Sequence, residues 1–99
     1  MKKLVTALLL IFATAVLAGD LEDGNAALRR GDFKAAAEHF KRAAKVGDPM
    51  SQYNLGLMYE RGDGVHQDFA QAIHLYKQAA AQGDVDAQNN LARLLKKKD

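Results

Sequence analysis

Cysteine is absent from this 99-residue chain, and hydroxyl side chains are scarce. Without cysteine there are no disulfides, so packing alone must hold the fold together. Ser51 is the one serine, and the two threonines, Thr6 and Thr14, lie near the amino terminus. Acyl-transfer catalysis needs a nucleophile beside an aligned base, and the sequence shows no such pairing. We therefore expect that the chain is not an enzyme.

Residues 1–18 have the three-part pattern of a secretory signal peptide. Lys2 and Lys3 make the start positive, residues 4–17 are almost all apolar, and Val16-Leu17-Ala18 offers a cleavage site. The apolar run is shorter than the roughly 20 residues that a membrane-spanning helix needs. We expect a signal peptide over 1–18 and a periplasmic or secreted domain over 19–99, in a bacterial envelope. An uncleaved membrane anchor is the alternative.

An excess of one charge is also lacking once this segment is set aside. The whole chain has 14 Lys and Arg against 12 Asp and Glu. Lys2 and Lys3 would leave with the signal peptide, so 12 basic residues would face 12 acidic ones. Nucleic-acid binding depends on a basic footprint, so this balance argues against a nucleic-acid partner.

Apolar residues after Gly19 recur at three- and four-residue spacings, which predicts helices and gives no sign of strands. Aspartate, a strong N-cap, precedes four of the helices, at positions 32, 48, 68 and 84. Short connections favour antiparallel neighbours. The five predicted helices run from about Asp20 to Arg30, Phe33 to Lys45, Pro49 to Arg61, Phe69 to Gln82 and Val85 to Lys97.

The predicted inward faces include the aromatic residue that opens the second and fourth helices. Phe33 and Phe69 share these faces with alanines, and Leu91, Leu94 and Leu95 are placed inward on the last helix. Gly56 interrupts the third helix at a cost of about 1 kcal/mol relative to alanine. We expect a neighbouring helix to cross there.

The chain repeats itself at a shift of 36 residues, with eleven identities over the 28 residues from Asp32 to Tyr59. Helix-pair repeats of this length are typical of α-solenoids, in which each unit buries its apolar face against the next. The sequence therefore predicts an all-α fold, a short α-solenoid of antiparallel helix pairs with about two repeats and a capping helix.

The motifs within residues 50–88 resemble the Sel-like repeat, a relative of the tetratricopeptide repeat. The resemblance depends on Tyr53-Asn54-Leu55-Gly56-Leu57-Met58-Tyr59, Gly62-Asp63-Gly64-Val65, Asp68, Ala72, Tyr76-Lys77-Gln78-Ala79-Ala80, Gly83-Asp84 and Ala87-Gln88. The preceding unit lacks the Leu-Gly pair in its first helix, and Ala92 and Leu95 depart from the motif in the last helix. Some exported relatives tie each helix pair with a disulfide, from which this chain departs.

The resemblance implies a scaffold for protein–protein contacts, with the first helix of each pair on the concave side. Asparagine can hold the backbone of an extended peptide, tyrosine and leucine offer apolar contact, and arginine can meet a carboxylate. Asn54 and Asn90 have an alternative role, which is to cap structure inside the repeat. The candidate partner-binding residues are Tyr53, Asn54, Leu57, Arg61, Asn89, Asn90, Arg93 and Lys97.

No metal or cofactor site is expected. His39, His66 and His74 lack the spacing of metal ligands, and Gly62-Asp63-Gly64 follows a helix, not the strand that a phosphate-binding loop requires. Alternate oxygen ligands for calcium are missing as well.

The predicted function is an exported helical scaffold that binds another protein or peptide of unknown identity. Solenoids generally need three or more units, so an apolar end would favour docking to another protein or self-association. The rivals are a membrane-tethered adaptor with an uncleaved signal, and a hydrolase of the envelope.

Overall fold

The computed structural model describes residues 19–98, and every regular element in this range is an α-helix. The predicted signal peptide, residues 1–18, lies outside the described range. No helix within that range is long and apolar enough to cross a bilayer. The helices are α1 over residues 19–30, α2 over Phe33–Lys45, α3 over Pro49–Arg61, α4 over Phe69–Ala81 and α5 over Val85–Lys98. The predicted all-α arrangement of helix pairs is confirmed.

Aspartates begin four of these helices, as predicted. The carboxylates of Asp32, Asp48 and Asp68 accept hydrogen bonds from backbone N–H groups three residues later, at 3.2, 2.9 and 3.1 Å. Asp84 does the same for the N–H of Ala87 at 2.8 Å. Each bond satisfies one of the free donors of a first helical turn. The caps therefore fix where each helix of the repeat starts.

Two apolar clusters hold the helices together. The first joins α1, α2, α3 and α4, and it contains Ala27, Ala36, Ala37, Phe40, Ala44, Leu55, Met58 and Leu75. The second joins α4 and α5 through Ala72, Tyr76, Ala79, Ala87 and Leu94, with half-buried side chains of α3 against it. Because each cluster spans neighbouring units, a unit is buried only by stacking on the next.

Gly56 is the place where α4 crosses α3, as the sequence predicts. A Cβ there would lie 2.7 Å from the ring of Tyr76, which is fully buried. Gly24 is the equivalent glycine of the first unit, and a Cβ there would lie 2.6 Å from the ring of Phe40. The first unit therefore keeps the glycine of the Leu-Gly pair, although Asp23 replaces the leucine. A fixed shift of 36 residues hides this match, because the α1–α2 connection is shorter than the α3–α4 connection.

The α3–α4 loop, residues 62–68, lies against the first unit. Gly64 has a φ of 74°, and a Cβ there would overlap the backbone of Phe33. Val65 packs on the first cluster. The backbone N–H of Asp68 donates to the carbonyl of Tyr59 at 2.8 Å, and the Gln67 side chain donates to the carbonyl of Glu60 at 2.9 Å. The loop therefore closes over the junction of α2 and α3.

Three residues predicted to face inward are instead exposed. Phe33 is 41% exposed, Phe69 50% and Leu95 41%. The two phenylalanines are the first residues of their helices, so they lie at the rim of the stack. Leu95 is related to Tyr59 by the shift of 36 residues. The loop and α4 cover Tyr59, whereas no described residue covers Leu95. Leu94 is buried and Leu91 half-buried, as expected.

Candidate partner-binding surface

Glu60 connects three helices at the centre of the repeat. Its carboxylate accepts a hydrogen bond from the Tyr76 hydroxyl at 2.8 Å. Arg93 Nη2 donates to both carboxylate oxygens, at 2.8 and 2.7 Å. The Glu60 side chain is 15% exposed and that of Arg93 is 47% exposed. The network therefore fixes the outward faces of α3 and α5 relative to each other while leaving half of the arginine accessible.

Tyr76 has a raised pKa, outside its ordinary range. Burial is the main cause, and the hydrogen bond to the negative Glu60 carboxylate adds to it, whereas the neighbouring Asn90 amide acts in the opposite direction. The ring of Tyr53 packs against the ring of Tyr76, with the two centroids 6.0 Å apart and the planes tilted by 37°. A neutral hydroxyl and a packed aromatic pair make this a rigid support.

Three of the predicted partner-binding residues meet in one pocket. Asn54, Leu57 and Arg61 line a cavity of about 70 Å³ together with Leu28, Phe33, Met58 and Asp63. Asn54 and Leu57 are half-buried, and Arg61 is exposed. The pocket therefore combines an amide, an apolar wall and the opposite charges of Arg61 and Asp63, and its volume suits a single small side chain of a partner.

The other predicted residues are arranged differently. Tyr53 is half-buried against Tyr76, and Arg93 contacts Glu60. Asn89 is exposed, and Asn90 is half-buried beside the Tyr76 hydroxyl, which agrees with its alternative role inside the repeat. Lys97 lines a separate groove between α4 and α5. We call the outward faces of α3 and α5, with the seven predicted residues other than Lys97, the α3–α5 surface.

Family profiles match both halves of this architecture. The Sel1 repeat profile matches residues 49–84, and a tetratricopeptide repeat profile matches residues 21–63. The chain contains a Sel1 repeat. The tetratricopeptide match covers the unit in which Gly24 packs against Phe40 and in which the connection is short. Repeats of these two kinds generally mediate protein–protein interaction.

Known proteins resemble parts of this Sel1-repeat protein. The solved structure of a Sel1 repeat protein from Oxalobacter formigenes is 34% identical, with a TM-score of 0.68, over 82% of this chain and 61% of that chain. The DAP3-binding cell death enhancer 1 of Mus musculus is 40% identical over 50 residues, which are 50% of this chain and 10% of that protein. HcpD of Helicobacter pylori, whose name carries an unproven beta-lactamase assignment, is 40% identical over 47 residues, 48% of this chain and 15% of its own length.

Two contributors to the surface of the Sel1-repeat protein were missed by sequence reasoning. Glu60 was not identified, because its partners lie 16 and 33 residues away and no local pattern connects them. The periodicity predicts that Phe33 faces the core, whereas it lines the pocket with Asn54 and Leu57. The exposure of Phe33 could have been predicted from its position, because it directly follows the Asp32 cap and is the first residue of α2.

Asp20, His39 and Arg42 form a polar cluster between α1 and α2. His39 Nδ1 and Arg42 Nε both lie 3.1 Å from Asp20 Oδ1. Burial by itself would raise the pKa of Asp20, but the hydrogen bonds and charges of His39 and Arg42 outweigh it, and the pKa is lowered. His39 is half-buried, and His66 and His74 are exposed. The cluster ties two helices together.

Proposed function

We propose that this Sel1-repeat protein is an exported scaffold without catalytic activity of its own, and that it binds another protein or a peptide through the α3–α5 surface. The bacterial envelope, as periplasm or secreted space, is the proposed location. The proposal extends to this chain the protein–protein interaction that is general for Sel1 and tetratricopeptide repeats. The identity of the partner is open. The similarity to the DAP3-binding cell death enhancer 1, which is named for binding another protein, supports a role in protein binding.

One observation carries the proposal. Asn54, Leu57 and Arg61 line a common pocket with the exposed Phe33, while the adjoining Tyr53 and Arg93 are anchored to Tyr76 and Glu60. A surface whose side chains are held before binding loses less conformational entropy when a partner arrives. Arg61 is exposed and suited to a carboxylate, so an extended segment with an acidic residue fits this chemistry.

An envelope hydrolase is the weaker alternative, and the surroundings of Ser51 argue against it. Ser51 is fully buried, and its hydroxyl donates to Asp48 at 2.6 Å as part of the α3 cap. A nucleophile must reach a substrate and must have a base to take its proton. Ser51 lacks that access, because it fills the small packing position equivalent to Ala87 in α5.

A membrane-tethered adaptor is the other alternative. It would use the same α3–α5 surface and differ only in the fate of residues 1–18, which the structure does not describe. The apolar run is short for a bilayer and ends in small residues suited to cleavage, which favours the exported form.

The test is affinity capture from the native envelope with the wild type and with a variant carrying Asn54→Ala and Arg61→Glu. We expect the specific partner to be lost from the variant, since the amide and the cation both leave the pocket. The matched control is Lys77→Glu, an exposed charge reversal on α4. Equal recovery of the partner by all three proteins would reject the α3–α5 surface as the binding site.

A further inference from the structure

An apolar groove lies between the start of α4 and the end of α5. It has a volume of about 520 Å³ and is lined by Phe69, Ala70, Ile73, Leu94 and Lys97. Phe69 is 50% exposed, and Ile73 is half-buried. Apart from Lys97, the lining residues are apolar. This groove, which we call the α4–α5 groove, is separate from the pocket of Asn54, Leu57 and Arg61.

The internal repeat contains an equivalent of this groove that is mostly covered, apart from the small pocket beside Phe33 and Arg61. A shift of 36 residues relates the five lining residues to Phe33, Lys34, Ala37, Met58 and Arg61. At that earlier position Gly64 lies directly on the backbone of Phe33 and Lys34. Val65 packs on the cluster that contains Ala37 and Met58, and Ala37 is only 1% exposed.

The contacts of the earlier unit indicate which groups fit the α4–α5 groove. In the earlier unit, Gly64 lies on the backbone of Phe33 and Lys34. In the α4–α5 groove, Phe69 and Ala70 present the equivalent backbone. Ile73 takes the place of Ala37, and its partial exposure marks the position that Val65 shields in the earlier unit. Leu95, 41% exposed, takes the place of Tyr59 at the side of the same junction.

We propose that the α4–α5 groove binds a loop of a second helical-repeat protein. The loop carries a glycine that lies on the backbone of Phe69 and Ala70, followed by a branched apolar residue that packs on Ile73 and Leu94. This repeats, between two proteins, the contact that the loop of residues 62–68 makes within one chain. The proposal goes beyond the α3–α5 surface and does not depend on it.

Ala92 limits which helix can follow that loop. It occupies the place of Gly56, where a Cβ would lie 2.7 Å from the ring of Tyr76. An aromatic residue placed in the partner as Tyr76 is placed in α4 would therefore collide with Ala92. The partner carries a small residue at that position, which distinguishes it from a direct copy of α4.

The test uses the full chain, labelled with ¹⁵N, and a synthetic peptide of residues 61–81 of the same sequence with Tyr76→Ala. We expect the backbone amide signals of Phe69, Ala70, Ile73 and Leu94 to shift on titration. A second peptide that also carries Val65→Asp should bind at least about tenfold more weakly, which corresponds to about 1.4 kcal/mol. Restoring Tyr76 in the peptide should also weaken binding, and Ala92→Gly in the protein should reverse that loss.

Protein variants provide the matched controls. Ile73→Glu should abolish the shifts, and Val85→Glu, an exposed apolar site outside the groove, should leave them unchanged. Phe69→Ser serves as a second groove variant, since Phe69 is half exposed and its loss spares the core. Circular dichroism establishes that each variant is folded.

Several outcomes would overturn the proposal. Equal binding of the Val65→Asp peptide, or no shift at the groove, removes the loop as its occupant. Shifts at Phe33 and Ala37 mean that the peptide displaces the chain's own loop instead. If the backbone amide signals of the groove residues shift with protein concentration when no peptide is present, a second copy of this chain occupies the groove. Shifts confined to Asn54, Arg61 and Asn89 overturn this inference and leave the proposed function intact.

Discussion

The Tyr76 hydroxyl donates a 2.8 Å hydrogen bond to Glu60 Oε1, which joins α4 to the end of α3. The same carboxylate accepts from Arg93 of α5. The Tyr76 ring also lies against Gly56, so one tyrosine sets both the spacing of α3 and α4 and the position of Glu60. The α3–α5 surface is therefore positioned by residues beneath it, and the stability of this contact can be tested directly.

Gly56→Ala should lower the free energy of unfolding by about 1 kcal/mol. Alanine favours a helix by about 1 kcal/mol over glycine, but its Cβ would lie 2.7 Å from a fully buried ring, and such overpacking costs about 1–3 kcal/mol. Urea denaturation measures the difference. Ala92→Gly is the matched control: at this exposed position the glycine should be destabilising, by about 1 kcal/mol. A more stable Gly56→Ala protein would contradict the packing described here.

Stability should fall above pH 10 because of Tyr76. Its pKa in the folded protein is raised above the ordinary value of 10.0, so the unfolded chain releases this proton first as the pH rises. The stabilisation is complete below pH 10 and declines above it by about 1.4 kcal/mol per pH unit until the folded pKa is reached. Urea denaturation at pH 9, 10 and 11 measures this slope. Tyr76→Phe should remove this part of the slope, and identical slopes in the two proteins would rule out the assignment.

Asp20→Asn should weaken the α1–α2 junction by on the order of 1 kcal/mol at neutral pH, since Arg42 is half exposed and its contribution is screened. The folded pKa of Asp20 is lowered, so its stabilisation is present above about pH 4 and is lost as the pH falls. Thermal unfolding at pH 7 and pH 3 should show a smaller acid-induced loss in the variant than in the wild type. Asp23→Asn, an exposed change on the same helix, is the control. Equal acid sensitivity in all three proteins would count against the cluster.

Export predicts a mature protein that begins at Gly19. We predict cleavage after Ala18, from the short apolar run and the small residue at its end. Intact-mass spectrometry of the protein purified from its native envelope measures the amino terminus. An intact residue 1–18 segment in the membrane fraction would instead favour the tethered adaptor.

Much of the fold follows from local chemistry and could be predicted from the sequence. Asp32, Asp48, Asp68 and Asp84 mark the helix starts because a short carboxylate side chain can accept from the first turn. The internal shift of 36 residues predicts the stacking, since equal motifs bury equal faces. Gly56 is predictable as a crossing point, because a glycine inside a helix is costly unless a close neighbour requires it.

The remaining features depend on positions at the ends of elements and on distant partners. Periodicity places Phe33 and Phe69 on a buried face, but the first residue of a helix can protrude beyond the neighbour that covers the rest. Leu95 is exposed because no described residue packs over its face. Glu60 reaches Tyr76 and Arg93 only after three helices have packed, so no spacing in the sequence reveals it.

The most direct measurement of the central claim is site-specific photo-crosslinking in living cells. A photo-reactive residue is placed at Arg61 or Asn89 on the α3–α5 surface, and at Lys45 or Lys77 on the opposite faces of α2 and α4; all four side chains are exposed. We predict a discrete crosslinked partner from positions 61 and 89, and none from 45 and 77. The same partner from all four positions, or from 45 and 77 alone, would contradict a scaffold that binds through the α3–α5 surface.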